Sequence, residues 1–403
     1  MDCNYCLTVK KYYFCNVMKV ICAFDSFKGC MTSLEAGEAA KRGVMSAIPG
    51  CKVSVMPMAD GGEGTIDAIR SMTGGREVAI RVLDPLLREC ESKYVMDCDS
   101  ETAYVEMAQC AGLTMLTPDE RDAMHTSSYG LGMAVAKAIE AGAKHITICL
   151  GGSATNDVAI GALQALGLKV YTRDGILNRP VTGADLIDIA DIDSTALEQL
   201  KSQCDITVLY DADIPFCGPE GAVKMYATQK GVKSEDLDGL ERGMENVREV
   251  IERKTGVKAE SVKGAGAAGG AGYGLAALAR AKMESGIDYM LVLSDFDARL
   301  TETALVLTGE GKADSQTLQG KVSAGILRHS RNWNVPVWLF AGKVENKEAL
   351  LNSGFEMVVD INAGQDPTQN PMNNTVAGQR LENAVRRTAE NKIKKLRRQC
   401  DRS

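Results

Sequence analysis

Repeatedly along this chain a short apolar run gives way to a turn of glycines and carboxylates, and that recurrence limits the folds open to it. The clearest case is Ile146-Thr147-Ile148-Cys149-Leu150, followed by Gly151-Gly152-Ser153-Ala154-Thr155-Asn156-Asp157. Apolar residues at helical spacing then run from Val158 to Leu166, so the stretch reads as strand, tight turn, helix. Paired glycines let backbone N–H groups approach an anion, and the start of a following helix adds partial positive charge. Ser153, Thr155 and Asn156 add neutral hydrogen-bonding groups, and Asp157 adds an acid suited to a metal or a proton. A ligand-free βα turn capped by Thr155 or Asn156 has the same letters.

The same pattern opens the chain. Met18–Phe24 reads as a buried strand ending in Asp25-Ser26-Phe27-Lys28-Gly29. Thr32-Ser33-Leu34-Glu35 fits a capping box and predicts a helix to about Ala47. Lys52–Met58 predicts the next strand, closed by Ala59-Asp60-Gly61-Gly62-Glu63-Gly64-Thr65 and a second helix. This is the opening of a parallel sheet with ligand loops at the carboxyl ends of its strands.

After Thr73 the texture changes. Glu77–Leu83, Ser92–Met96 and Thr102–Met107 read as short strands of an antiparallel or mixed sheet. Helices are predicted over Ser127–Ala141 and Ser234–Lys254, and Asp205–Tyr210 is a strand ending in Asp211-Ala212-Asp213. Gly264–Gly270 opens a predicted helix Tyr273–Met283. Buried-strand composition returns at Tyr289–Leu293, Ala304–Leu307, Val335–Phe340 and Glu356–Val359, with loops over Thr308–Gln316 and Ala341-Gly342-Lys343. A basic-ended helix, Asn374–Lys395, closes the chain. Val158 and Ala159, just past the central turn, are expected to be helical.

The expected class is α/β with two domains. One is a discontinuous Rossmann-like parallel-sheet domain, residues 18–65 plus 285–403; the other is an inserted mixed α/β domain, residues 66–284. Residues 1–17 lack the apolar core and small-residue cleavage site of a secretory signal, and read as a dispensable N-terminal extension.

Composition narrows the function. The chain has 46 basic and 53 acidic residues, a net charge of −7, and no basic stripe interleaved with aromatics, which argues against nucleic acid. No apolar run spans a bilayer. The 13 cysteines are scattered through apolar runs without a disulfide framework, so a cytoplasmic location is expected. Cys3-Asn4-Tyr5-Cys6 is a lone CxxC, and the 3 histidines are too few and too spread for a zinc site. No GxxxxGK[ST] occurs. Gly264–Gly269 matches GxGxxG, but no strand precedes it and Glu284 is expected at a helix end, so a dinucleotide site lacks its context.

The loops share glycine, a carboxylate, a hydroxyl or amide, and sometimes a lysine. Amides and lysines suit phosphate oxygens. Carboxylates suit Mg²⁺ or accept a proton from an attacking hydroxyl. Phosphoryl transfer to a small polar substrate fits this set better than acyl or hydride transfer.

Taken in order, Asp25–Gly29, Ala59–Thr65, Gly151–Asp157, Gly264–Gly270 and Thr308–Gly311 with Asp314-Ser315-Gln316-Thr317 resemble the motifs of the bacterial glycerate kinases of the non-P-loop type, over about residues 18–395. The resemblance implies ATP-dependent phosphorylation of D-glycerate, a Mg²⁺ requirement, an active site between two domains, and 2-phosphoglycerate as product. Formation of 3-phosphoglycerate, or a dinucleotide-dependent oxidoreductase, is the alternative.

On this reading Asp157, Asp60 and Lys28 are the catalytic candidates. Candidates for substrate and phosphate contact are Asp25, Ser26, Gly61, Gly62, Glu63, Gly151, Gly152, Ser153, Asn156, Gly264, Gly266, Gly269, Gly309 and Glu310. Asp211, Asp213 and Asp314 are candidates for the metal. The expected partners are D-glycerate and ATP, not nucleic acid or membrane, and self-association is left open. The chain departs from the family pattern at Phe24, usually proline, at Val158 and Ala159, usually glycines, and at Ile214-Pro215, usually Asn-Pro.

Overall fold

The computed structural model describes residues 18–318, 321–366 and 368–400. The expected extension, residues 1–17, lies outside them. In chain order the main elements are β1 (Lys19–Cys22), α1 (Ser33–Ala47), β2 (Lys52–Val55), α2 (Thr65–Thr73), β3 (Arg76–Leu83), β4 (Glu89–Asp97), β5 (Thr102–Glu106), α3 (Tyr129–Glu140), β6 (His145–Cys149), α4 (Ile160–Ala165) and β7 (Lys169–Thr172). They continue with β8 (Gly175–Ile176), β9 (Ile189–Asp193), β10 (Asp205–Tyr210), α5 (Leu237–Thr255), α6 (Ala267–Ala279), β11 (Lys282–Ser285), α7 (Gly286–Leu293), β12 (Leu305–Ala313), α8 (Val322–Asn332), β13 (Val337–Val344), β14 (Met357–Asp360) and α9 (Asn374–Cys400). Internal contacts divide the chain into two compact units, Asp60–Gly286 and the remainder.

The unit formed by both ends of the chain holds a five-stranded sheet in the order β14-β13-β12-β1-β2, all neighbours parallel. Strands β1, β12 and β13 carry the buried apolar runs expected where a parallel sheet is covered on both faces, whereas the edge strand β2 alternates exposed and half-buried residues. Trp338, Phe340, Leu305, Leu307 and Phe24 make the core of this unit with residues of α1 and α9. The capping box read at Thr32 and Glu35 is present, with Glu35 N donating to Thr32 Oγ1 and Thr32 N to Glu35 Oε2. Helix α1 lies tightly on α9: a Cβ added to Gly43 would sit 2.5 Å from Glu382 O.

The Asp60–Gly286 unit holds a six-stranded sheet, β11-β10-β6-β5-β4-β3, and a small antiparallel sheet, β8-β7-β9. Strands β11, β10, β6 and β5 run parallel, and β4 and β3 add antiparallel edges. The mixed texture read after Thr73 is this sheet.

Several local expectations are corrected. Tyr289–Leu293 is helical, not a strand: Ile287, Met290 and Leu291 are buried while Val292 is exposed, a helical repeat in a run too short for composition to decide. Helix α6 stops at Ala279, where Arg280 takes a left-handed conformation, and Glu284 lies within β11. One objection to a dinucleotide site at Gly264–Gly269 is thereby removed. The other stands, because a short 3₁₀ turn, Ala259–Ser261, precedes that run instead of a strand. Thr308–Ala313 and Ala341–Lys343 are strand residues rather than loops, since β12 and β13 continue pairing as far as Ala313 and Val344.

Val158 and Ala159 are not helical either. Both are left-handed, with φ of 58° and 55°, and α4 begins only at Ile160. Left-handed backbone costs an L-residue roughly 1–2 kcal/mol. Both side chains are fully buried, and burying a valine contributes about 1.5–3 kcal/mol, enough to hold Val158 in a conformation better suited to glycine.

Candidate active site

In the Asp60–Gly286 unit four of the sequence-predicted turns meet at the carboxyl ends of the parallel strands. The turn after β6 touches the Asp60 turn directly. Gly151 N donates to Gly61 O at 3.0 Å, and a Cβ on Gly151 would lie 2.3 Å from Gly62 Cα. Only glycine permits that approach. On its other side the turn meets Gly269, where a Cβ would lie 2.2 Å from Thr155 O. Residues Ala268, Gly269 and Gly270 are all left-handed, so the GxGxxG run is a loop pressed on the central turn before α6 becomes regular. Gly264 N donates to Asp213 Oδ1 at 2.7 Å and Gly266 N to Ile214 O at 3.0 Å, tying the β10 turn to the same cluster. The backbone of Ile214 thus does structural work, whatever polar side chain the position has lost.

Among the acids, Asp60 is buried and accepts from Gly62 N at 3.1 Å through Oδ1. Glu63 and Asp213 are exposed, and Asp211 is half-buried. Asp157 is fully buried, and its Oδ2 accepts from both Ser128 N and Ser128 Oγ at 2.7 Å. Burial raises its pKa. Its carboxylate therefore orders the start of α3 instead of facing solvent. Oδ1 of Asp157, Oδ1 of Asn156 and Oγ1 of Thr155 are buried without a hydrogen-bond partner. Three consecutive residues that each leave a side-chain oxygen unpaired are unusual in a native interior, where such atoms are nearly always paired.

The expected helix N-terminus is not at this turn, because Val158 and Ala159 separate Asp157 from the six-residue α4. Positive charge comes instead from Lys230, which the sequence reading missed. Lys230 is buried, and its Nζ donates to Ser153 Oγ and Thr155 O, both at 2.8 Å. Burial pushes its pKa down to about 7, while Asp157 and Asp211 pull it back toward the charged form. Nothing local signals this role: in Thr228-Gln229-Lys230-Gly231 a lysine reads as solvated.

A second missed residue is Glu106, the last of β5. It is fully buried, and its Oε1 accepts from Thr65 N at 2.9 Å. Helix α2 has Gly64 as its N-cap and no side-chain cap of its own, so Glu106 serves from across the sheet and holds the Asp60–Thr65 turn. Burial raises its pKa from 4.5 to about 7. Between those values the folded state binds more protons than the unfolded chain. Stability from this group is therefore full below the lower value and is lost as pH rises through the upper one. Glu106→Gln keeps an acceptor for Thr65 and removes the titration. Relative to wild type, its unfolding free energy should improve from pH 5 to pH 8, by at most about 1.4 kcal/mol per pH unit. Denaturant midpoints at the two pH values test this, and a pH-independent difference would refute it.

The other unit carries Asp25, Ser26, Lys28, Gly309, Glu310 and Asp314. Asp25 N donates to Gly309 O at 2.9 Å, and Ser26 N closes a tight turn on Asp25 Oδ1 at 2.7 Å. Gly309 and Glu310 sit within β12, where a Cβ on Gly309 would meet Phe340 O at 2.0 Å and the Phe24 ring at 2.7 Å. Phe24, the residue that stands for the usual proline, is thus a core side chain accommodated by Gly309. Lys28 is exposed. Asp314 pairs with Lys312 at 3.0 Å.

The expected metal set does not form a cage. Asp211 and Asp213 follow β10 and Asp314 follows β12, and among the described residues no three His, Cys, Asp or Glu side chains group to hold an ion. Two oxygen-bearing acids close in sequence fit only a hard cation that keeps waters and phosphate oxygens among its ligands, as Mg²⁺ does. No helix among the described residues is long and apolar enough to cross a membrane.

A model of the glycerate kinase family matches residues 20–393. The chain is 36% identical over 353 residues to the glycerate kinase of Bacillus subtilis (strain 168), covering 87% of this chain and 92% of that protein. It is 33% identical over 345 residues to the glycerate 2-kinase of Escherichia coli (strain K12), covering 85% and 90%. The crystal structure of a protein provisionally named glycerate kinase 2, from Salmonella typhimurium LT2, superposes with a TM-score of 0.81 at 33% identity, covering 95% of this chain and all of that one. With this fold and these turns, the chain belongs to the glycerate kinase family.

Proposed function

We propose that the protein transfers the γ-phosphoryl group of ATP to the 2-hydroxyl of D-glycerate, releasing 2-phosphoglycerate and ADP. The observation that carries this reading is the convergence of three glycine-rich turns with the acidic Asp211–Asp213 turn at the strand ends of the Asp60–Gly286 unit. Its similarity to a protein named glycerate 2-kinase supports the choice of hydroxyl.

In the reaction the substrate oxygen forms a bond to the γ-phosphorus as the bond to the ADP oxygen breaks, and the hydroxyl proton passes to a carboxylate. We assign that proton to Asp60, the buried acid of the turn that Gly151 touches. Lys28, exposed beyond β1, would contact phosphate or carboxylate oxygens. Asp211 and Asp213 would supply the carboxylates for a Mg²⁺ ion that neutralises phosphate charge.

The test is incubation of the purified protein with ATP, Mg²⁺ and D-glycerate, followed by carbon and phosphorus NMR of the product. Phosphorus coupled to carbon 2 is expected. Coupling to carbon 3 would reverse the regiochemistry, and no phosphorylated product would defeat the reading.

A further inference from the structure

The central turn has a hydrogen-bonding pattern with a direction built into it. An ammonium group donates and never accepts. Lys230 Nζ lies 2.8 Å from both Ser153 Oγ and Thr155 O. Ser153 must then receive the lysine's hydrogen on its oxygen, which leaves its own hydroxyl hydrogen to point elsewhere. Among the described residues no hydrogen-bond acceptor takes it. Beside it, the buried Thr155 Oγ1 has no partner either. The backbone of the turn is otherwise well held: Ala154 N donates to Ala111 O at 2.8 Å, and Thr126 Oγ1 to Ala154 O at 2.9 Å. Ser153, whose hydroxyl hydrogen is left over in a turn with its backbone held, is placed to donate to an anionic oxygen.

We propose that Lys230 is a positioning residue that fixes Ser153 as a hydrogen-bond donor to an anionic oxygen, carboxylate or phosphate, of a substrate bound at the Gly151–Asp157 turn. Asp157 and Asp211 are the charged groups that face the lysine, and both favour the ammonium. The kinetic side of this inference rests on the proposed phosphoryl transfer; the structural side does not.

The experiment uses the full chain with Lys230→Met, Lys230→Arg, Ser153→Ala and the Lys230→Met/Ser153→Ala pair. Loss of a hydrogen bond to a charged group corresponds to about 10- to 100-fold in affinity. Lys230→Met and Ser153→Ala should each raise KM by that order for one anionic substrate, with a smaller effect on kcat. The double variant should be no worse than the single ones, because both remove the same interaction. Lys230→Arg should recover much of the loss. A change confined to the KM of glycerate places a carboxylate at Ser153; one confined to the KM of ATP places a phosphate there. Unchanged KM values in folded Ser153→Ala, or additive losses in the pair, would overturn the proposal. If Lys230→Met does not fold, Ser153→Ala and Lys230→Arg still decide it.

A wild-type protein inactive on D-glycerate would defeat the functional reading alone. Hydrogen exchange then decides the positioning role. The 151–157 amides should exchange faster in Ser153→Ala than in wild type while other segments do not change, and equal rates would overturn it.

Discussion

Asp60→Asn should lower kcat by about 10²–10⁴, the range for losing a general base, and leave KM within a few-fold. The substitution keeps the shape of the side chain and an oxygen to accept from Gly62 N, the bond that Asp60 Oδ1 makes at 3.1 Å. What it removes is the charge, and with it the ability to take the hydroxyl proton. Binding contacts made by the neighbouring amides are untouched, so the loss belongs in the chemical step. Steady-state kinetics with D-glycerate and ATP, alongside a melting curve, is the measurement. A folded Asp60→Asn protein with kcat within tenfold of wild type would reduce Asp60 to a turn-forming role.

Asp157→Ala should destabilise the protein by about 3–5 kcal/mol, the usual cost of removing one partner from a buried set of charged groups. Two donors on Ser128 would lose their acceptor, and Lys230 would lose an acid that favours its charge. Asp157→Asn retains an oxygen for Ser128 and should cost less. Its kcat, measured on folded protein, should stay within tenfold of wild type, because the carboxylate is fully buried and already engaged by Ser128 through Oδ2. Urea midpoints and kcat on the same preparations separate the two effects. A fall in kcat of a hundredfold or more in folded Asp157→Asn would restore the acid to the chemistry and move the proton from Asp60.

The two variants together test a distinction that composition cannot make. Both residues are acids in glycine turns after strands, and both read as catalytic in the sequence. Asp60 and Asp157 differ in what the surrounding chain brings to them. Asp60 meets the amide of its own turn, whereas Asp157 meets the start of a helix that lies earlier in the chain.

The sequence by itself determined the α/β class, the parallel strands flanking a mixed-sheet region, and the turns that carry the family's motifs. These are local properties: a β-branched run, a glycine pair and a capping box act over a few residues, and their physics is complete within that span. It could not assign Tyr289–Leu293, because a short apolar run satisfies both strand and helix until its neighbours choose a face. Nor could it show that β12 and β13 continue through Thr308–Ala313 and Ala341–Lys343, since ladder hydrogen bonds come from another strand. Only the tertiary structure decided that Val158 and Ala159 are left-handed, that Glu106 serves helix α2, and that Lys230 stands behind Ser153. In each case the deciding quantity is burial against residues distant in the chain. Burial offsets backbone strain at Val158, raises the carboxyl of Glu106, and turns a lysine in a polar segment into the positive charge of the central turn.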